Sequence, residues 1–85
     1  MASMRRAVID VGTNSVKLLV ADVAGDEVQP ILEAGHQTRL GQGFYNTRRL
    51  QAVAIRRTAA TVAEFAETAR AQGATTVRIF ATSAA

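Results

Sequence analysis

Eighty-five residues, 48% of them hydrophobic and 20% charged, make one small domain or part of one, with too many apolar side chains for a disordered tail. Cysteine is absent, which excludes a disulfide framework and a thiolate metal site, and no apolar run approaches the ~18 residues of a membrane span. The net charge of +3 arises from an excess carried almost wholly by arginine, a composition that admits phosphate-bearing polyanions as partners and equally a solvated basic surface.

In chain order, the N-terminus "MASMRRAVIDVG" places two arginines before an apolar run, as a signal peptide does, but Asp10 and Gly12 break that run too early. Secretion and membrane insertion are therefore not expected, and the cytoplasm is the expected location. Ala7 to Val11 is predicted as a first strand and Val16 to Val23 as a second, with Val16, Leu18 and Val20 on one face and Lys17, Leu19 and Ala21 on the other. Both faces are largely apolar, so coverage on both sides is expected. "AGDE", Ala24 to Glu27, predicts a hairpin turn centred on Gly25 and Asp26. Val28 to about Arg39 then reads as a third strand, and Pro30, which has no N–H to donate, assigns it to a sheet edge.

"LGQGFYNT" is a loop, after which Asn46 or Thr47 can cap a helix running from about Arg48 to Gln72. Leu50, Val53, Ala54, Thr58, Thr61, Val62, Phe65 and Ala69 recur at helical spacing and form its mostly apolar face. Gly73 ends it, and Thr76 to Ala81, "TVRIFA", is a fourth strand. Short connections make the first three strands an antiparallel meander, and the helix is a crossover that returns the fourth parallel to an earlier one. With the third strand at an edge, the predicted α/β sheet has the order three, two, one, four.

That order brings the C-terminal ends of strands one and four to one rim, where ligands of open α/β sheets bind. Asp10, the turn Gly12, Thr13, Asn14 and Ser15, and the pair Thr82 and Ser83 all fall there. Gly12 admits close approach to the backbone, and the N–H groups, hydroxyls and amide of the turn can hold an anion. Asp10 can hold a magnesium ion that neutralises phosphate charge. The same four residues are also ordinary turn formers, so a plain hairpin turn remains an alternative.

"AVIDVGTNSVKLLVADV" resembles the first phosphate motif of the exopolyphosphatase and guanosine pentaphosphate phosphohydrolase family, within the actin, sugar kinase and heat-shock chaperone ATPase superfamily. "TRLGQG", Thr38 to Gly43, resembles that family's loop after its third strand, and "VRIFATSA", Val77 to Ala84, its fourth strand and the Ala-Thr-Ser-Ala that follows. An Asp-x-Gly-Thr alone is common to the superfamily; the three segments in order narrow the resemblance to this family, over almost the whole chain from Ala7.

The resemblance implies a ribonuclease-H-like half domain and a parent enzyme in which water attacks a terminal phosphoryl group of inorganic polyphosphate or guanosine pentaphosphate. It implies that Asp10 holds a divalent cation such as magnesium, that Gly12, Thr13, Asn14 and Ser15 bind phosphate, and that Thr82 and Ser83 border the site. Residues 1–85 are then the first part of the first domain, expected to be inactive alone. The family's glutamate base and second glycine-rich phosphate loop come later in its members, and the whole enzyme is expected to be a homodimer. Lys17 lies on the same strand face as Ser15 and could reach a phosphate, with a solvent-facing lysine favoured. Arg39, Arg48, Arg49, Arg56 and Arg57 could track a chain-like polyanion, with a solvated basic face favoured. His36 is read as structural, and Glu64 with Glu67 as a solvated pair. Other readings are a nucleotide-binding ATPase or sugar kinase of the superfamily, and a non-catalytic polyanion-binding module; no membrane or specific nucleic-acid partner is expected.

Overall fold

Alternating apolar side chains build two long neighbouring strands, β1 (Met4–Val11) and β2 (Ser15–Ala24), in the computed structural model, which describes residues 3–38 and 52–81. They are followed by β3 (Glu27–Gln37), the helix α1 (Ala52–Ala71) and β4 (Thr76–Ala81). β1 starts at Met4, earlier than predicted, and β4 has the predicted bounds. Arg39, the expected loop with its capping residues Asn46 and Thr47, and the expected first helical turn with Leu50 lie outside the described residues.

The sheet has the order β3-β2-β1-β4, antiparallel from β3 to β1 and parallel between β1 and β4, as the connection lengths require. Ala24 pairs with Glu27 across the predicted turn, where Gly25 takes a φ of 59° that favours glycine. Pro30 lies on the edge strand beside a bulge: Ala21 pairs with Pro30 and Val20 with Leu32, leaving Ile31 as the extra residue. A bulge on an edge strand tolerates a residue that cannot donate.

The predicted faces of β2 hold. Ile9 and Ala7 of β1 and Val16, Leu18 and Val20 of β2 form one buried stripe, and α1 lies across it. Each large side chain so buried stabilises the fold by roughly 1.5–3 kcal/mol. On the helix, Ala69 is small enough to sit fully buried against the strands, with Val62 and Phe65 packed against the same core, and Ala54 is also fully buried. Thr58 and Thr61 also face inward, and their hydroxyls donate to the Ala54 and Arg57 carbonyls one turn back, so burial leaves neither unsatisfied. The helix ends at Gly73, φ 86°: the Ala74 N–H reaches the Ala69 carbonyl at 3.0 Å and the Gly73 N–H the Arg70 carbonyl at 2.9 Å. This paired closure satisfies the last carbonyls and requires a left-handed residue.

Two expectations are corrected. Val53 is 54% exposed, because the buried face runs through Ala54, Thr58, Thr61 and Ala69 and places Val53 to its side. Coverage on both sides of the sheet is not found: among the described residues one helix covers one face, and Val8 and Phe80 stand exposed on the other. Alternation reports which faces are apolar, not which are covered.

Arg5 ties three elements together. Its Nε and Nη2 donate to the two carboxylate oxygens of Asp22 on β2 at 2.8 and 3.0 Å, and its Nη1 donates to the Gln72 carbonyl just past α1 at 2.9 Å. A cation there also complements the helix dipole. Hydrogen bonding from Arg5 holds the Asp22 carboxyl below the ordinary carboxylate range, with the attraction of its charge adding to this and burial opposing it. The folded value is depressed, so this stabilisation is full above the unfolded aspartate value of about 3.9 and is lost as pH falls through the folded value. Asp22→Asn in the complete protein should lower the urea midpoint at about pH 7, and the gap from the parent should close as pH falls through the depressed range of the folded carboxyl. A gap independent of pH would show that the carboxylate charge is not what Arg5 uses.

Candidate functional site

The end of β1 and the start of β2 leave only Gly12, Thr13 and Asn14 to reverse the chain. Val11 and Val16 form the last strand pair, and the Gly12 N–H donates to the Ser15 carbonyl at 2.8 Å, closing the turn. Gly12 therefore contributes space and not its amide. A Cβ there would sit 3.3 Å from the Ser15 oxygen, tighter than ordinary contact and against backbone that is already hydrogen-bonded. Thr13, Asn14 and Ser15 follow, with Asn14 exposed and its neighbours half-buried.

The turn is braced from the side. The Asn14 carbonyl accepts from the Thr38 N–H at 3.0 Å, directly after β3, and the Thr38 carbonyl accepts from Arg57 Nε of α1 at 2.6 Å. Arg57 is the helix arginine that meets this carbonyl, which its grouping with Arg48, Arg49 and Arg56 does not reveal. The signal was available: Arg57 falls three residues after Ala54 and four before Thr61, both on the buried face.

Asp10 is half-buried on the sheet face opposite α1, one residue before β1 ends. Its strand partners are Lys17 on β2 and Phe80 on β4. It lines an open cavity of about 520 Å³ with Val8, Lys17, Leu19, Glu33 and Gly35. Lys17, read as phosphate-reaching or solvated, is exposed and shares this cavity with two carboxylates. No group of three or more histidine, cysteine or acidic side chains is gathered among the described residues. One hard carboxylate oxygen beside an anion-suited turn nevertheless fits magnesium, which keeps most of its waters and takes substrate phosphate oxygens as ligands.

Thr82 and Ser83 lie outside the described residues, as do Arg39, Arg48 and Arg49. Ala81 pairs with Val11, so β4 ends on the same rim as Asp10 and the turn. His36 is exposed on β3, and Arg56 is exposed on α1. Glu64 and Glu67 are exposed as expected, Glu67 facing Arg70 at 3.6 Å.

A mixed sheet with a helical crossover, carrying a small-residue turn and a carboxylate where parallel strands end, defines an actin-like α/β unit. The chain belongs to the Ppx/GppA phosphatase family, whose pattern matches residues 19–85. It is 43% identical over 89 aligned positions to exopolyphosphatase 2 of Mycobacterium tuberculosis, covering all of this chain and 28% of that protein. Among solved structures it matches the Ppx/GppA family member of Aquifex aeolicus with a TM-score of 0.85 and 33% identity, covering 93% of this chain and 26% of the other. An exopolyphosphatase from Cytophaga hutchinsonii matches with a TM-score of 0.84 and 26% identity over 94% of this chain. The chain thus spans just over a quarter of the length of these relatives.

If Gly12 is there to keep the turn compact, Gly12→Ala in the complete protein should cost about 1 kcal/mol of stability through overpacking. It should also weaken orthophosphate binding by calorimetry about tenfold. Unchanged phosphate affinity would show that no ligand comes close to this turn.

Proposed function

We propose that the complete protein is a phosphohydrolase that releases terminal phosphate from inorganic polyphosphate, with guanosine pentaphosphate as a second candidate substrate. The observation that carries this reading is the placement of Asp10 and the Gly12–Ser15 turn on the rim where β4 ends alongside β1. The family of the chain and the exopolyphosphatases among its relatives support it.

In this reading Thr13, Asn14 and Ser15 donate hydrogen bonds to the oxygens of the terminal phosphoryl group, and Gly12 keeps the backbone low enough for approach. Thr82 and Ser83, following β4, border the same site. Asp10 holds a magnesium ion, which when bound supplies positive charge to phosphate oxygens. Negative charge develops on those oxygens as water attacks, and fixed donors already aimed at them stabilise the transition state without reorganising. The turn suits that task because its backbone is pinned by hydrogen bonds to Ser15 and Thr38. Residues 1–85 provide one wall of the site, and the group that activates water belongs to another.

Magnesium-dependent phosphate release by the complete protein, from polyphosphate and from guanosine pentaphosphate in parallel, tests this reading. Asp10→Ala should reduce the rate by about 100-fold or more while leaving the melting temperature near that of the parent, since a half-buried rim carboxylate serves the ligand more than the core. Robust turnover by Asp10→Ala, or none by the parent on either substrate, would contradict the assignment.

A further inference from the structure

We propose that Arg57 is a positioning residue for the phosphate turn, acting through Thr38. The inference rests on the reading of Gly12–Ser15 as a phosphate site. The chain of contacts is short: Arg57 Nε donates to the Thr38 carbonyl at 2.6 Å, and the Thr38 N–H donates to the Asn14 carbonyl at 3.0 Å. Through two hydrogen bonds the helix that covers the sheet is joined to the turn at its rim. A guanidinium donor makes the first bond charge-assisted and short, and so stiffer than a neutral pair.

Thr38 supplies a second, independent observation. It is fully buried, and its hydroxyl oxygen has no hydrogen-bond partner among the described residues. A buried hydroxyl without a partner disfavours the folded position, because water would satisfy it outside. Thr38 is therefore held in place by its backbone bonds against the preference of its own side chain. Removing Arg57 frees Thr38 to move towards water, and the Asn14 carbonyl then loses the N–H that braces it. The same stretch of α1 shows why the brace reaches the rim. Arg57 lies between Ala54 and Thr61, both buried, on the side of the helix turned away from solvent.

A misplaced turn should act mainly on the chemical step. Long polyphosphate offers many phosphate groups for binding besides the terminal one, whereas donors aimed at transition-state charge lose effect when they shift by a fraction of an ångström. The test compares the complete protein with its Arg57→Ala and Arg57→Lys variants by hydrogen-exchange mass spectrometry and by steady-state kinetics on polyphosphate with magnesium. In Arg57→Ala, exchange should quicken in peptides spanning Gly12–Lys17 and Gln37–Thr38 and stay unchanged across β4. The value of kcat should fall by about tenfold to 100-fold, with KM changing less. Arg57→Lys, which keeps a charged donor, should recover part of both effects, and it carries the test if Arg57→Ala does not fold.

Unchanged exchange at the turn in a folded variant, or unchanged kcat, would overturn the proposal. So would a fall in kcat matched by a global rise in exchange, since that reports lost stability alone. If the parent protein releases no phosphate but turn exchange still depends on Arg57, the phosphohydrolase reading fails and the brace stands. If the parent is active and exchange is indifferent to Arg57, the brace fails and the phosphohydrolase reading stands.

Discussion

Antiparallel strands can be joined by tight turns, but β4 runs parallel to β1, and the polypeptide must first be carried back along the sheet. The helix α1 does this, and it can lie only where β1 and β2 offer an unbroken apolar stripe of Ile9, Val16, Leu18 and Val20. Burial of that stripe is the contact on which the rest depends. It sets which face the helix takes, and the crossover places β4 beyond β1. Both strands then run out at one rim, with Val11 beside Ala81 and Asp10 beside Phe80. The carboxylate and the turn gain their relation to β4 from a core that they do not themselves enter.

The rim is held by polar contacts of a different kind. Gly12 and Ser15 close the turn, Thr38 supports it, and Arg57 returns the support to the helix. At the other end of the sheet Arg5 plays a comparable part, binding β2 through Asp22 and the end of α1 through Gln72. Each arginine uses a planar fork or a charge-assisted donor to join elements that hydrophobic burial only places side by side. The difference lies in what they brace: Arg5 holds a helix end, and Arg57 holds Thr38, which in turn supports the Gly12–Ser15 turn.

Much of this was legible in the sequence because it rests on local rules. Connection lengths and Pro30 on an edge gave the strand order, Gly73 marked the helix end, and period-two alternation assigned Val16, Leu18 and Val20 to one face. The family likeness rested on short ordered segments and is shown by its match and its relatives. Features set by tertiary placement were harder to read. Leu19 helps make the second face of β2 as apolar as a covered one, yet no helix of the described residues lies on it. Val53 fits an apolar helical stripe until neighbours at Ala54 and Thr58 fix its rotation. Arg57 looked like one more surface cation because composition cannot show that a carbonyl 19 residues away in sequence will meet it. The placement of Thr82 and Ser83 against Asp10 stays an expectation drawn from the pairing of Val11 with Ala81.

The central claim is that the rim turn, and not the open sheet face, receives the phosphoryl group. The most direct measurement is a crystal structure of the complete protein with magnesium and a non-hydrolysable triphosphate. The account predicts terminal phosphate oxygens within hydrogen-bond distance, about 3 Å, of Thr13, Asn14 or Ser15, and a magnesium ion on the Asp10 side of that group. A triphosphate lying along Val8, Leu19 and Phe80, with the turn making no contact to it, would contradict the account.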